Sequence, residues 1–136
     1  MKRIARIGLF VQSLFYVVSG MNHFWHRQFY MGIMPDRYSH RDALVQLSGV
    51  AEILGGAGLA VPASRRFSSF GLTLMLIVFL DVHIFMIRHS ELFPNVKRWI
   101  LWARLPLQGV LIAWALYYAR SRNNPPEITS GFVGNN

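Results

Sequence analysis

The chain contains no cysteine. Thiol–disulfide exchange, thiolate metal centres and iron–sulfur clusters held by its own residues are thereby excluded. Charge is also scarce. Asp, Glu, Lys and Arg make up 15% of the residues, where a soluble domain carries about a quarter. Acids are scarcest, six in 136 residues. No basic run interleaves with stacking aromatics, so the net charge of +8 does not mark a nucleic-acid surface. The lysines and arginines fall almost entirely between apolar blocks, where they meet lipid headgroups.

Apolar residues fill the chain instead, at 53% hydrophobic and a mean hydropathy of +0.31. They arrive in blocks rather than stripes. Four blocks predict helices over about 4–24, 43–61, 67–87 and 96–118, each long enough for a hydrocarbon core of about 30 Å. The expected fold is an all-α, integral membrane four-helix bundle over residues 1–120, followed by a mobile polar tail over 121–136 with Pro125-Pro126. Residues 25–42 form a connecting segment. Met1-Lys2-Arg3 resembles the flank of a signal peptide, but the apolar run continues with no small-residue cleavage site, so the first helix is expected to be retained. Trp25, Trp99, Trp102, Tyr117 and Tyr118 fall near helix ends, as interfacial aromatics do. Four spans put both termini on one side. That side holds seven basic residues, Lys2, Arg3, Arg6, Arg65, Arg66, Arg120 and Arg122, against six on the other, which slightly favours cytoplasmic termini.

Polar groups inside the spans carry the functional signal, because a charge at membrane depth is expensive and needs a partner or a task. Counting helical rise places Asn22, His23, Glu52, Asp81, His83, Arg104 and Gln108 in the half of the bilayer away from the termini. They predict one polar pocket, with residues 25–42 as its lid. Gln12, Tyr16, Ser19 and His23 form one stripe of the first helix, and Ser48, Glu52, Gly55 and Gly56 share a face of the second. Asp81 and His83 are two residues apart and cannot both point at the centre. Arg104 is expected to pair with Asp81 or Glu52, or to meet an anionic or carbonyl group of a bound lipophile. Glu52 is expected either to hydrogen-bond Tyr16 or Gln108, or to carry protons with His23. Metal or haem is disfavoured, because His26, His40 and His89 fall at the interface or in loops. Gly55-Gly56-x-Gly58 lacks a following Lys-Ser/Thr and reads as close helix packing, not a phosphate loop.

Several motifs together resemble the DoxX-like family of small four-helix membrane proteins. They are Ser19-Gly20-Met21-Asn22-His23-Phe24, Ile33-Met34-Pro35-Asp36, Ser48-Gly49-Val50-Ala51-Glu52-Ile53-Leu54-Gly55-Gly56, Asp81-Val82-His83-Ile84-Phe85-Met86 and Arg104-Leu105-Pro106-Leu107-Gln108. The resemblance covers about residues 8–119. Many relatives carry Asn where this chain has Asp81. The resemblance implies a multi-pass protein of the bacterial inner membrane. The family's name comes from a quinone-reducing subunit, relatives are linked to redox complexes and an animal branch to receptor-assembly chaperones, so the resemblance leaves a redox role and a chaperone role both open. The leading expectation is a pocket for a small hydrophobic ligand, with quinone as the cofactor class, in at most a subunit of a membrane oxidoreductase. The alternatives are a non-enzymatic scaffold or chaperone and, further behind, a small-molecule transporter. The expected partners are the lipid bilayer and a membrane redox partner or a second copy.

Overall fold

The computed structural model describes residues 2–120; the tail expected over 121–136 lies outside them. Four long helices carry the fold: α1 (Arg3–Trp25), α3 (Arg41–Ala60), α4 (Arg65–Arg88) and α5 (Arg98–Arg120). Each is long and apolar enough to cross a membrane. Their ends lie within two residues of the expected ones, the ordinary uncertainty of a helix terminus. The connecting segment holds a further helix, α2 (Arg27–Ile33), and a single turn of 3-10 helix spans Ser90–Leu92.

Proline sets several of the boundaries. A residue before proline is pushed out of the helical region. Val61, before Pro62, is extended and ends α3; Met34, before Pro35, is extended and ends α2. Pro106 lies inside α5 and removes one backbone donor there, level with the polar groups of that helix.

The distribution of residues is inverted relative to a water-soluble bundle. Leu14, Leu47, Leu54, Phe67, Leu74 and Val110 are exposed, whereas Gln12, Ser13, His23, Glu52, Ser69, Thr73 and Gln108 are buried. Lipid solvates apolar side chains, so helices associate by close packing and polar contacts rather than by hiding apolar surface. α1 and α3 meet this way. A Cβ on Gly20 would lie 2.6 Å from the Gly49 carbonyl oxygen, and one on Gly49 would lie 2.9 Å from the Gly20 carbonyl oxygen. One heptad away, Ser13 Oγ donates to the Gly56 carbonyl oxygen at 2.6 Å. The glycine run of α3 is packing surface on two sides: Gly56 abuts Ser13 and Tyr16 of α1, while Gly55 and Gly58 abut Leu72 and Ser68 of α4.

The helices neighbour one another in the order α1, α3, α4, α5. The seam that would close the ring, between α5 and α1, is thin. It is pinned where Tyr118 Oη donates to the Ala5 carbonyl oxygen at 2.7 Å. At that end Leu9, Tyr16, Leu59, Leu72, Leu76, Leu111 and Tyr118 form a core; toward the other end, Ile33, Met86 and Leu101 form a second.

Candidate functional site

Between these cores lies a cavity of about 320 Å³. From α1 it is lined by Phe15, Tyr16, Ser19 and His23, and from α3 by Val45, Ser48 and Glu52. α4 supplies Leu76, Phe79, Val82 and His83, and α5 supplies Arg104, Leu107, Gln108 and Leu111. Phe29, Tyr30, Ile33 and Met34, on and just after α2, complete it as a lid.

The carboxyl of Glu52 is held by α1. Its Oε1 accepts from Ser19 Oγ at 3.1 Å. Its Oε2 lies 3.2 Å from His23 Nε2, within ion-pair reach but without a hydrogen-bond partner of acceptable geometry. His23 Nδ1 lies 3.2 Å from the Val45 carbonyl oxygen, an acceptor that fixes the proton on Nδ1. A neutral imidazole then faces Glu52 with a lone pair. The pair is favourable only when it holds one more proton, on the carboxyl or on Nε2. Tyr30 stacks on the His23 ring at 4.1 Å between centroids, with Phe79 further off at 6.1 Å.

Arg104 departs from expectation. Among the described residues no ion pair joins it to a carboxylate; its Nη1 lies 3.4 Å from Met86 Sδ. Asp81 is taken instead by the lid loop, where Arg37 pairs with it and Tyr38 Oη donates to it at 2.8 Å. The physical reason is angular. His83 faces the cavity and Asp81, two residues earlier, is turned to the rim, where an arginine from a loop reaches it at little desolvation cost. Loss of solvent works against the charge on Arg37, but the hydrogen bond and charge of Asp81 outweigh it and hold the guanidinium above its ordinary pKa. The expected bond from Glu52 to Tyr16 or Gln108 is likewise replaced by Ser19, because Gln108 Nε2 donates to the Leu76 carbonyl oxygen of α4 at 2.7 Å.

Asn22 does not line the cavity. Its Nδ2 donates to Tyr30 Oη at 2.9 Å and its Oδ1 lies 2.6 Å from His26 Nδ1, so it ties the lid to α1. Arg27 ties the lid to α3 through Asp42 at 3.0 Å. Gln12 is fully buried beneath the cavity, with neither amide atom hydrogen-bonded. Three buried polar atoms on cavity-lining residues also lack a hydrogen-bond partner: Tyr16 Oη, Glu52 Oε2 and His83 Nδ1. Among the described residues no group of three His, Asp or Glu side chains is placed to hold a metal ion.

Residues 25–42 were expected as the lid, but Phe29, Tyr30 and Ile33 were not singled out as part of the cavity wall. Phe29, Tyr30, Ile33 and Met34 recur at helical spacing, and that periodicity was available to find them.

Neither the curated proteins nor the solved structures include a match to this chain. Residues 12–119 match a family model described as a domain of unknown function, DUF8561. That match takes in α3, α4, nearly all of α5, the second half of α1 and every residue lining the cavity, and the chain belongs to the DUF8561 family.

Proposed function

We propose that this protein binds a small lipophile with an oxygen-bearing head, of the quinone class, and serves as a quinone-linked subunit of a membrane redox system. The observation that carries the reading is the incomplete pairing of polar groups on the cavity wall: Tyr16 Oη and His83 Nδ1 have no hydrogen-bond partner, and Glu52 Oε2 has only the His23 ring beside it at 3.2 Å. Buried polar groups in native proteins are nearly always paired, and orphans gathered on one cavity point to a missing partner. Apolar and aromatic walls with a few convergent polar groups are the usual composition of a small-molecule site.

The residues present fit a quinone head. Arg104 can donate to one oxygen and the tautomer of His83 with its proton on Nδ1 to another. Phe79, Tyr30 and Leu107 supply flat and apolar walls. A bound quinone would supply the capacity to take up electrons and protons. The chain's part is to orient the ring, exclude water beneath the lid and hold a proton at the His23–Glu52 pair. The resemblance to DoxX-like proteins supports the redox assignment and a place in a bacterial inner membrane. The slight excess of basic residues on the terminal side supports cytoplasmic termini.

Titration with decylubiquinone, followed by tryptophan quenching, tests the reading. Trp25 and Trp102 belong to the cavity's half of the chain. Saturable quenching is expected in the wild type, weakened about tenfold or more in Glu52→Leu and Arg104→Leu through loss of a charged hydrogen-bonding partner. Arg3→Gln, exposed at the far end of α1, should bind as the wild type does. Absence of saturable quenching in the wild type would remove the quinone assignment and leave the scaffold role ahead.

A further inference from the structure

Arg104 is the cavity's permanent cation, and the described carboxylates are all engaged elsewhere. Asp36 pairs with Arg41, Asp42 with Arg27, Asp81 with Arg37, Glu52 with His23, and Glu91 with His89. A guanidinium cannot shed its charge, and at membrane depth an unpaired charge is strongly disfavoured. Among the described residues Arg104 has no counter-charge, which leaves a place for one carried by a molecule that enters the cavity.

The route of entry is visible in the same place. α5 and α1 meet at one end, where Tyr118 Oη donates to the Ala5 carbonyl oxygen and Tyr118 and Trp114 lie against Gly8, while their backbones are not closely packed. Phe15 of α1 and Leu107 of α5 line the cavity and are also 46% and 55% exposed. They form a sill between the cavity and the surrounding lipid. Above the cavity the lid is tied to α1, α3 and α4 at Asn22, Asp42 and Asp81.

We infer that the occupant of this cavity is an anionic amphiphile drawn from the bilayer, its acidic head at Arg104 and its tail leaving between α1 and α5. This rests on the reading that the cavity holds a lipophile, and it narrows the class. A carboxylate or phosphate head fits best; a neutral quinone can accept a hydrogen bond from Arg104 but brings no counter-charge to it. His83, with an unsatisfied Nδ1 on the same wall, supplies a second donor to the head.

The test is native mass spectrometry of the full chain released from zwitterionic nanodiscs, loaded separately with sodium dodecanoate, 1-dodecanol, sodium acetate or decylubiquinone. A retained dodecanoate adduct is expected, with dodecanol retained about tenfold less or lower for want of a charged hydrogen bond, and acetate about tenfold less or lower for want of a buried apolar tail. Arg104→Gln should lose the dodecanoate adduct, Arg104→Lys should keep most of it, and Arg88→Gln, an exposed rim residue, should keep all of it. Dodecanol retained as well as dodecanoate in the wild type would overturn the acidic head. Undiminished dodecanoate in Arg104→Gln would overturn it too, and the comparison within the wild type does not depend on that variant folding. Acetate retained as well as dodecanoate would overturn the tail's path between α1 and α5. In each of these cases a decylubiquinone adduct would leave the lipophile reading standing; no adduct with any of the probes would end both.

Discussion

A lone arginine six residues into α5 lies about 9 Å along the helix from Arg98, and its surroundings decide what its removal does. Had Arg104 been half of a buried ion pair, Arg104→Leu would strand a carboxylate, at about 3–5 kcal/mol. Among the described residues no carboxylate is paired with it, so the substitution removes a charge that apolar surroundings disfavour. In delipidated protein the thermal midpoint of Arg104→Leu should equal or exceed that of the wild type. Arg65 is the opposite case. It is buried, and its Nε donates to the Leu59 carbonyl oxygen at 2.9 Å, capping the end of α3. Arg65→Leu should destabilise by about 1.5–3 kcal/mol, the value of a hydrogen bond to a charged group. Thermal unfolding of both variants in one detergent checks the pair, and a loss in Arg104→Leu as large as in Arg65→Leu would contradict this account of Arg104. The membership of the pocket was legible from depth and helical face for His23, Glu52, His83, Arg104 and Gln108. The partners were not. Which of Ser19, Tyr16 or Gln108 takes a carboxylate oxygen depends on rotamers and on competing backbone carbonyls such as that of Leu76, and spacing carries neither.

Among the elements, the α1–α3 pair is held by backbones in contact, and the lid by polar ties at its edges. The two should respond differently to substitution. Gly49→Ala places a methyl group against the Gly20 carbonyl oxygen and the His23 and Phe24 side chains. Backbone cannot yield without parting the helices, so a loss of about 1–3 kcal/mol is expected from overpacking, read as a lower unfolding midpoint. Asp81→Asn weakens an exposed pair, worth about 0–1 kcal/mol globally, and should leave that midpoint almost unchanged. Its effect belongs to the lid. Amide exchange over residues 34–40 should accelerate in Asp81→Asn while exchange within α3 and α4 holds at the wild-type rate, and equal rates in both proteins would show that Asp81 does not latch the loop. The four long helices were readable because their apolar runs match the bilayer in length. α2 was harder, because seven residues give under two turns of periodicity. The pairing of Asp81 with Arg37 was not readable at all, since a loop arginine's reach follows from the path of the chain rather than from any repeat.

At the scale of the whole molecule, the arrangement is a ring of four helices with one thin seam and a capped interior. Polar side chains are inside, large apolar ones face lipid, and a cavity remains where the inner polar groups are not fully paired. Composition and block length specify that inversion, which is why the fold could be read before the structure. The cavity follows from a subtler property. Tyr118 and Ala5 hold α5 and α1 together at one end, while Phe15 and Leu107 line the cavity and are also exposed beside the polar groups. A cavity with incompletely paired polar walls, facing lipid at Phe15 and Leu107, should hold a membrane-derived molecule in the protein as it is made. The most direct measurement is mass spectrometry of material extracted from the full chain purified from its native membrane, compared with Glu52→Leu prepared identically. One lipophilic species should be enriched toward about one per chain in the wild type, as expected for a single site, and depleted in the variant. No enriched species, or the same species in equal amount from both preparations, would contradict it.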